Sequence, residues 1–167
     1  MKSIYLIGFM GSGKTTIGKA LSLSLNLPVM DSDEEVSRLT GKTIVEIFEG
    51  EGEVGFRTLE TKCLRNLPVE NFIITTGGGI VLKEENRQWM RENGKVVLLD
   101  ASPEEILKRL EGDKTRPLLI GEKETKVVKI LSERMPLYLD AADVIIDTTD
   151  KSVETIVEEL MNRLKFV

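Results

Sequence analysis

The sequence predicts an α/β fold in which a parallel sheet of about five strands is flanked by helices. Short apolar runs alternate with helical stretches along the whole chain, which is the element order of a parallel sheet with helical crossovers. One run, residues 96–99, is apolar at every position, as in strands that are covered on both faces. The five predicted strands are residues 4–7, 28–31, 72–75, 96–99 and 144–146.

A glycine-rich loop joins the first predicted strand to the first predicted helix, residues 16–25. Residues 8–15 read GFMGSGKT and match G-x-x-x-x-G-K-[ST] without a gap. Between a strand and a helix, this motif surrounds a phosphate with backbone N–H groups and a helix N-terminus. Lys14 can then reach the β- and γ-phosphates, and the Thr15 hydroxyl can bind Mg²⁺. The motif therefore predicts binding of a nucleoside triphosphate.

Two carboxylates, Asp31 and Asp33, lie at the end of the second predicted strand, where ligands bind in open α/β sheets. Ser32 between them is the predicted N-cap of a helix that ends near Leu39. Beside a Mg²⁺ site, one carboxylate can hold the metal directly or through water, and the other can accept a proton from a hydroxyl substrate. The alternative is an ordinary helix N-terminus that carries acids.

The next stretch predicts two helices with a break between them. Thr43 and Glu46 form a capping box at the start of a short helix. Gly50 and Gly52 interrupt the pattern, and residues 53–67 form the following helix.

Arg57, in that helix, offers a planar fork suited to a carboxylate or a phosphate. Its structural alternative is an exposed arginine that pairs with Glu53 or Glu60 on the same helix. The glycines at 77–79, directly after the third strand, fit a place where a ligand packs against the main chain. A flexible connection is the alternative.

Ser102 and Pro103 begin a helix that ends near Leu110, and a polar, glycine-punctuated segment, residues 111–123, follows it. This segment resembles a lid, in which Arg116 could close over the triphosphate and exclude water. An ordinary surface loop is the alternative.

Helix resumes after the lid segment to about residue 139. It carries Arg134, which is either a second arginine of the site or a solvated charge beside a core Tyr138. The last predicted helix is capped by Ser152. With no repeat and no linker, residues 1–167 form one predicted domain.

The composition narrows the class of protein. The net charge is −5 without a basic stripe, which disfavours nucleic acid as a partner. No apolar run approaches the ~18 residues of a membrane span, and Cys63, the single cysteine, fits a reducing compartment. We therefore expect a cytoplasmic protein with no membrane partner. The chain has no histidine, so acid–base chemistry depends on carboxylates.

In order and in spacing, these motifs resemble those of the shikimate kinase family over nearly the whole chain. The matching segments are the Gly8 loop, Asp31-Ser32-Asp33, Phe56-Arg57-x-x-Glu60, Gly77-Gly78-Gly79, Arg116-Pro117 and Arg134-x-x-x-Tyr138. The resemblance implies a fold of the nucleoside-monophosphate-kinase type, with sheet order 2-3-1-4-5 and a lid. It implies ATP-dependent phosphorylation of the 3-hydroxyl of shikimate in aromatic amino-acid biosynthesis.

The resemblance also implies roles for individual residues. The shikimate-binding residues would be Asp33 on the hydroxyls, Arg57 and Arg134 on the carboxylate, and the Gly78 and Gly79 backbone along the ring. The ATP-binding residues would be Gly11, Ser12, Gly13, Lys14, Thr15, Thr16, Arg109 and Arg116, with Arg109 along the adenine. Lys14, Asp33 and Arg116 would be the catalytic residues. Mg²⁺ would be held by Thr15 and, through water, by Asp31.

Two other classes of function remain as alternatives. A kinase of related fold could act on gluconate or on a nucleoside monophosphate, although the latter would need several arginines for a second phosphate. A GTP-dependent switch is disfavoured because the chain contains neither D-x-x-G nor N-K-x-D. We expect shikimate and ATP as the ligands and a monomer as the oligomeric state.

Overall fold

A computed structural model describes residues 1–111 and 123–165 of the 167-residue chain and shows a five-stranded sheet between two layers of helices. The strands are β1 (Ser3–Ile7), β2 (Val29–Asp31), β3 (Ile73–Thr75), β4 (Gly94–Asp100) and β5 (Val144–Asp147). The helices are α1 (Lys14–Leu25), α2 (Ser32–Thr40), α3 (Ile44–Asn66), α4 (Glu84–Asn93), α5 (Pro103–Arg109), α6 (Lys123–Ala141) and α7 (Val153–Leu164).

The sheet order is β2-β3-β1-β4-β5, and every adjacent pair is parallel. The predicted α/β class and the predicted order 2-3-1-4-5 are therefore confirmed. No helix in the described ranges is both long enough and apolar enough to span a bilayer.

β1 is the central strand, and all five of its residues are buried. Because side chains alternate across a strand, Tyr5 and Ile7 pack on one face of the sheet, and Ile4 and Leu6 pack on the other. The first face is covered by apolar side chains of α3, α4 and α6, and the second by those of α1 and α7. Covering both faces in this way leaves the carboxyl ends of the strands for the site.

The helix caps are a local test of the sequence predictions. The capping box of Thr43 and Glu46 is present, and Ser102 and Ser152 cap α5 and α7 as predicted. The prediction of Ser32 as the cap of α2 is wrong, because Asp31 occupies that position and its Oδ1 accepts the N–H groups of Asp33 and Glu34. Residue 31 leaves β2 with extended backbone, so its side chain, and not that of Ser32, meets the open end of the helix.

The predicted break near Gly52 is a kink inside one element, since α3 continues through it. Gly52 has φ 69° and ψ −176°, a backbone conformation that only glycine adopts readily. Beyond the kink, Phe56 and Cys63 pack with Val36 and Ile47 in a small apolar cluster between α2 and α3. Burial raises the pKa of the Cys63 thiol to about 11, so the side chain is a neutral apolar member of this cluster.

Two predictions concern the region between α5 and α6. The predicted lid, residues 111–123, lies almost entirely outside the described residues, and so does Arg116. α6 continues two residues past its predicted end, to Ala141, and contains Pro136.

Candidate active site

Nine of the fourteen predicted site residues line a cleft of about 300 Å³ at the carboxyl ends of β1, β2 and β3. Its walls come from the glycine-rich loop after β1, the start of α2, the loop after β3 and the end of α5. The lining residues are Met10, Gly11, Gly13, Lys14, Thr15, Thr16, Asp31, Asp33, Thr76, Gly77, Gly78 and Arg109. Ser12, Gly79, Arg57 and Arg134 are not among the lining residues.

The glycine-rich loop forms one end of the cleft. Gly13, the residue before α1, has φ 95°, a left-handed conformation that places the first N–H groups of the helix around the loop. The Lys14 ammonium donates to the carbonyl oxygens of Gly8 at 2.7 Å and Phe9 at 2.9 Å. These bonds hold the lysine across the loop in which the motif predicts a phosphate.

Asp31 is fixed by groups from two elements. Its Oδ1 accepts the two N–H groups of α2 already described, and its Oδ2 accepts the Thr75 hydroxyl at 2.6 Å. Thr75 is the last residue of β3, so this bond joins the ends of β2 and β3. The carboxylate therefore lines the cleft in one defined orientation.

Ser32 and Asp33, the next two residues, both contact the glycine loop, residues 77–79. The Ser32 side chain is fully buried, and its Oγ accepts the Gly77 N–H at 3.1 Å. The Asp33 carboxylate packs on Gly77 so closely that a Cβ at that position would lie 2.7 Å from Asp33 Oδ1. Glycine is needed here because any side chain would displace the carboxylate.

Arg57, on α3, contacts the far end of the glycine loop, at Gly79. It is only 9% exposed and pairs with Glu60 at 3.0 Å and with Glu53 at 3.5 Å. Its guanidinium lies against Gly79, where a Cβ would overlap it. The interpretation of Arg57 as an exposed helical arginine is therefore wrong, although the pairing predicted with Glu53 or Glu60 is present with both.

Arg134 approaches the same loop from α6. It is 4% exposed, and its Nη1 would lie 3.5 Å from a Cβ at Gly78. Tyr138, one helical turn further on, donates its hydroxyl to the Gly78 carbonyl at 2.5 Å, and burial raises the pKa of Tyr138 to about 12. The alternative in which Arg134 is a solvated charge is wrong, while the prediction of Tyr138 as a core residue is confirmed.

Glu60 is the anionic partner of this pair of arginines. Its side chain is fully buried, and burial raises the pKa of Glu60 to about 7 against the lowering effect of Arg57. The charge of Asp33 raises the same pKa further, and Arg134 lowers it. The cluster thus contains two cations and two carboxyl groups around residues 77–79.

Arg109 closes the nucleotide end of the cleft. Its Nη1 donates to the Gly11 carbonyl and to the Thr148 hydroxyl, each at 3.2 Å, and its Nε donates to Glu105 at 3.0 Å. These bonds tie the glycine-rich loop to α5 and to the loop after β5.

Comparison with known proteins identifies the family. The shikimate kinase family model matches residues 10–165. A shikimate kinase of Bacillus cereus (strain AH187) is 50% identical over 98% of this chain and 99% of its own length. The chain belongs to the shikimate kinase family. The shikimate kinase of Caldicellulosiruptor bescii is also 50% identical, over 83% of this chain and 81% of its own.

Solved structures of shikimate kinases share the whole fold. The Acinetobacter baumannii enzyme, in complex with shikimate, superposes with a TM-score of 0.94 at 40% identity, covering 99% of this chain and 93% of that one. The Aquifex aeolicus enzyme gives 0.82 at 40% identity, covering 98% and 96%. The predictions of family, fold and enzyme class are therefore confirmed.

Sequence reasoning on this shikimate kinase family member missed three contacts. Ser32 bonds the glycine loop, Thr75 orients Asp31, and Thr148 bonds Arg109. Each contact joins segments that are far apart in the chain, so no local pattern could have shown the pairing. The only available signal was the position of Ser32 and Thr75 at the carboxyl ends of predicted strands.

Proposed function

We propose that this chain transfers the γ-phosphoryl group of ATP to the 3-hydroxyl of shikimate, which gives shikimate 3-phosphate and ADP. The observation that carries the proposal is the arrangement around residues 77–79, beside the glycine-rich loop. The Asp33 carboxylate lies against Gly77, and two buried arginines, Arg134 and Arg57, lie against Gly78 and Gly79. A substrate with one carboxylate and several hydroxyls needs cations at one end and an acceptor at the other.

In the acceptor half of the site, Arg57 and Arg134 bind the shikimate carboxylate. The Gly78 and Gly79 backbone lines the ring, since both positions lie directly against the two guanidinium groups. Asp33 binds the hydroxyls, including the one that attacks phosphorus. Because phosphoryl transfer has a loose transition state, orienting this hydroxyl contributes more than early removal of its proton.

In the nucleotide half, the N–H groups of residues 11–16 surround the phosphates. Lys14 exchanges its bonds to the Gly8 and Phe9 carbonyls for bonds to the β- and γ-phosphates. Arg109 lies along the adenine. Arg116, outside the described residues, supplies a second cation to the transferring group as part of a lid.

The residues present fit a Mg²⁺ ion that is held mainly by ATP. Thr15 and Asp31 both line the cleft, and three hydrogen bonds fix the orientation of the Asp31 carboxylate. The described residues hold no group of three acidic, histidine or cysteine side chains around a common point. Mg²⁺ does not need such a group, because it keeps several waters and takes most other ligands from phosphate oxygens. Bound there, the ion would neutralise charge on the phosphates.

We propose that the reaction takes place in the cytoplasm and that the protein is a monomer made of one domain, residues 1–167. Membership of the family favours shikimate over gluconate, which carries the same chemical groups. The site itself favours shikimate over a nucleoside monophosphate. In the described part of the acceptor side, two arginines, Arg57 and Arg134, are available. They suffice for one carboxylate, whereas a nucleoside monophosphate would need several arginines for its phosphate. The Asp33 carboxylate beside them accepts hydrogen bonds from hydroxyls.

The test is ADP release from Mg-ATP with shikimate, gluconate or AMP as acceptor. We expect turnover with shikimate alone. Arg57→Ala should raise the KM for shikimate about a hundredfold, because it removes a charge-assisted contact to the carboxylate. Asp33→Asn should lower kcat by about a hundredfold or more, because it removes the acceptor of the attacking hydroxyl.

Arg38→Ala is the matched control, since Arg38 lies in the last turn of α2, the helix that carries Asp33, with its side chain 67% exposed. Both kinetic constants of this variant should equal those of the wild type. Turnover with gluconate or AMP and none with shikimate would refute the acceptor while leaving the nucleotide site intact.

A further inference from the structure

We propose that Ser32 is a positioning residue that sets the separation between Asp33 and the two arginines. The proposal rests on the proposed function and extends it to a side chain that lies behind the cleft. Three consecutive residues at the start of α2 have different tasks. Asp31 caps the helix, Ser32 holds the glycine loop, and Asp33 faces the acceptor side of the cleft.

The first step of the argument is the Ser32 contact itself. Ser32 Oγ lies in the interior, and it accepts the Gly77 N–H at 3.1 Å. Gly77 immediately follows β3 and the buried Thr76, so this N–H is at the point where the glycine loop leaves the sheet. This N–H is partly buried, so the loss of its acceptor is costly, and the loop would shift to satisfy it.

The second step is that the same loop contacts both halves of the acceptor site. Gly77 lies against the Asp33 carboxylate, and Gly79 lies against the Arg57 guanidinium. Between them, a Cβ on Gly78 would lie 3.5 Å from Arg134 Nη1. A displacement of Gly77 therefore changes the distance from Asp33 to both cations. Ser32 controls that distance because it is bonded to Gly77 and adjacent to Asp33 in the chain.

The experiment compares Ser32→Ala with Ser32→Thr and Ser32→Cys. Ser32→Ala should weaken shikimate affinity, measured by calorimetry, and raise the KM for shikimate, each about tenfold, with the KM for Mg-ATP changed by less than about twofold. Ser32→Thr keeps the hydroxyl and should restore shikimate affinity to within about threefold of the wild type. Ser32→Cys keeps about the same volume but offers only a weak hydrogen-bond acceptor. If the alanine variant does not fold, Ser32→Cys should show the same weakening of shikimate binding with an unchanged KM for Mg-ATP.

Ser3→Ala is the matched control. Ser3 is also fully buried, and its Oγ also accepts a backbone N–H, that of Phe72 at 3.2 Å, but at the amino end of β1, away from the cleft. Ser3→Ala should lower the melting temperature with unchanged kinetic constants. A purely structural role for Ser32 would give the same result in Ser32→Ala, and that result would overturn the proposal.

A double-mutant cycle gives a second readout. If Ser32 acts by placing Asp33 relative to the arginines, Ser32→Ala should change shikimate affinity by less than about twofold in an Asp33→Asn background. Full additivity of the two changes would contradict the proposal. Failure of the wild type to bind shikimate would refute the proposed function instead, so the two failures are distinguishable.

Discussion

At the scale of single residues, Glu60 shows how the acceptor site affects stability. Its side chain is fully buried beside Arg57, and its pKa is raised from 4.5 to about 7, chiefly by burial. Between these values the folded state binds more protons than the unfolded state. The free energy of unfolding therefore falls as pH rises through this range, by about 3 kcal/mol in total from this group.

Glu60→Gln should remove this fall, because the amide keeps an acceptor for Arg57 and does not titrate. Urea unfolding of both proteins from about pH 5 to about pH 8 measures the difference between their slopes. Glu85→Gln is the control, since Glu85 pairs with Arg65 at the surface and should leave the slope unchanged. Parallel pH profiles for wild type and Glu60→Gln would contradict the prediction.

At the scale of elements, the kink in α3 directs the helix that carries Arg57. Gly52 combines positive φ with extended ψ, and no side chain or neighbouring element lies within 4 Å of where its Cβ would be. Gly52→Ala should therefore destabilise the fold through backbone strain alone, by about 1–3 kcal/mol. Gly50 offers the matched substitution, because it is helical and its Cβ position is equally open. Gly50→Ala should stabilise the protein by about 0.5–1 kcal/mol.

The two midpoints of urea unfolding, compared with that of the wild type, test this pair. A shift in the same direction for both variants would mean that the kink is not maintained by the conformation of Gly52.

The elements also show which features a sequence can predict. The strands, the phosphate loop and the caps at Thr43, Ser102 and Ser152 were predictable because each depends on neighbours within a few residues. The capping role of Asp31 was not, since its orientation also depends on Thr75 from another strand. For the same reason, sequence spacing alone does not decide whether Arg57 and Arg134 are surface residues or residues of the site. Only the folded chain brings α3 and α6 to the same glycine loop.

At the scale of the whole molecule, the site joins elements from all parts of the chain. The glycine-rich loop follows β1, Asp33 lies in the first turn of α2, Arg57 lies on α3 and Arg134 lies on α6. Ligand binding should therefore stabilise the chain as a whole, and not one segment of it. This follows from the proposal of a single domain, which the unfolding behaviour can test.

Shikimate at about a hundred times its Kd should add about 2.7 kcal/mol to the free energy of unfolding and raise Tm by about 5–10 °C.

Trp89, the only tryptophan, is the fluorescence probe for this experiment. It lies on α4 and packs against the core on the sheet face that α3, α4 and α6 cover. Its fluorescence transition should shift by the same amount as the far-UV circular dichroism transition. In Arg57→Ala that shikimate concentration is about equal to the weakened Kd, so both signals should shift by only about 1 °C, for a stabilisation of about 0.4 kcal/mol. In the wild type, the fluorescence transition could stay in place while the circular dichroism signal divides into two steps. That result would show two units and refute the single domain. It would not affect the assignment of the acceptor.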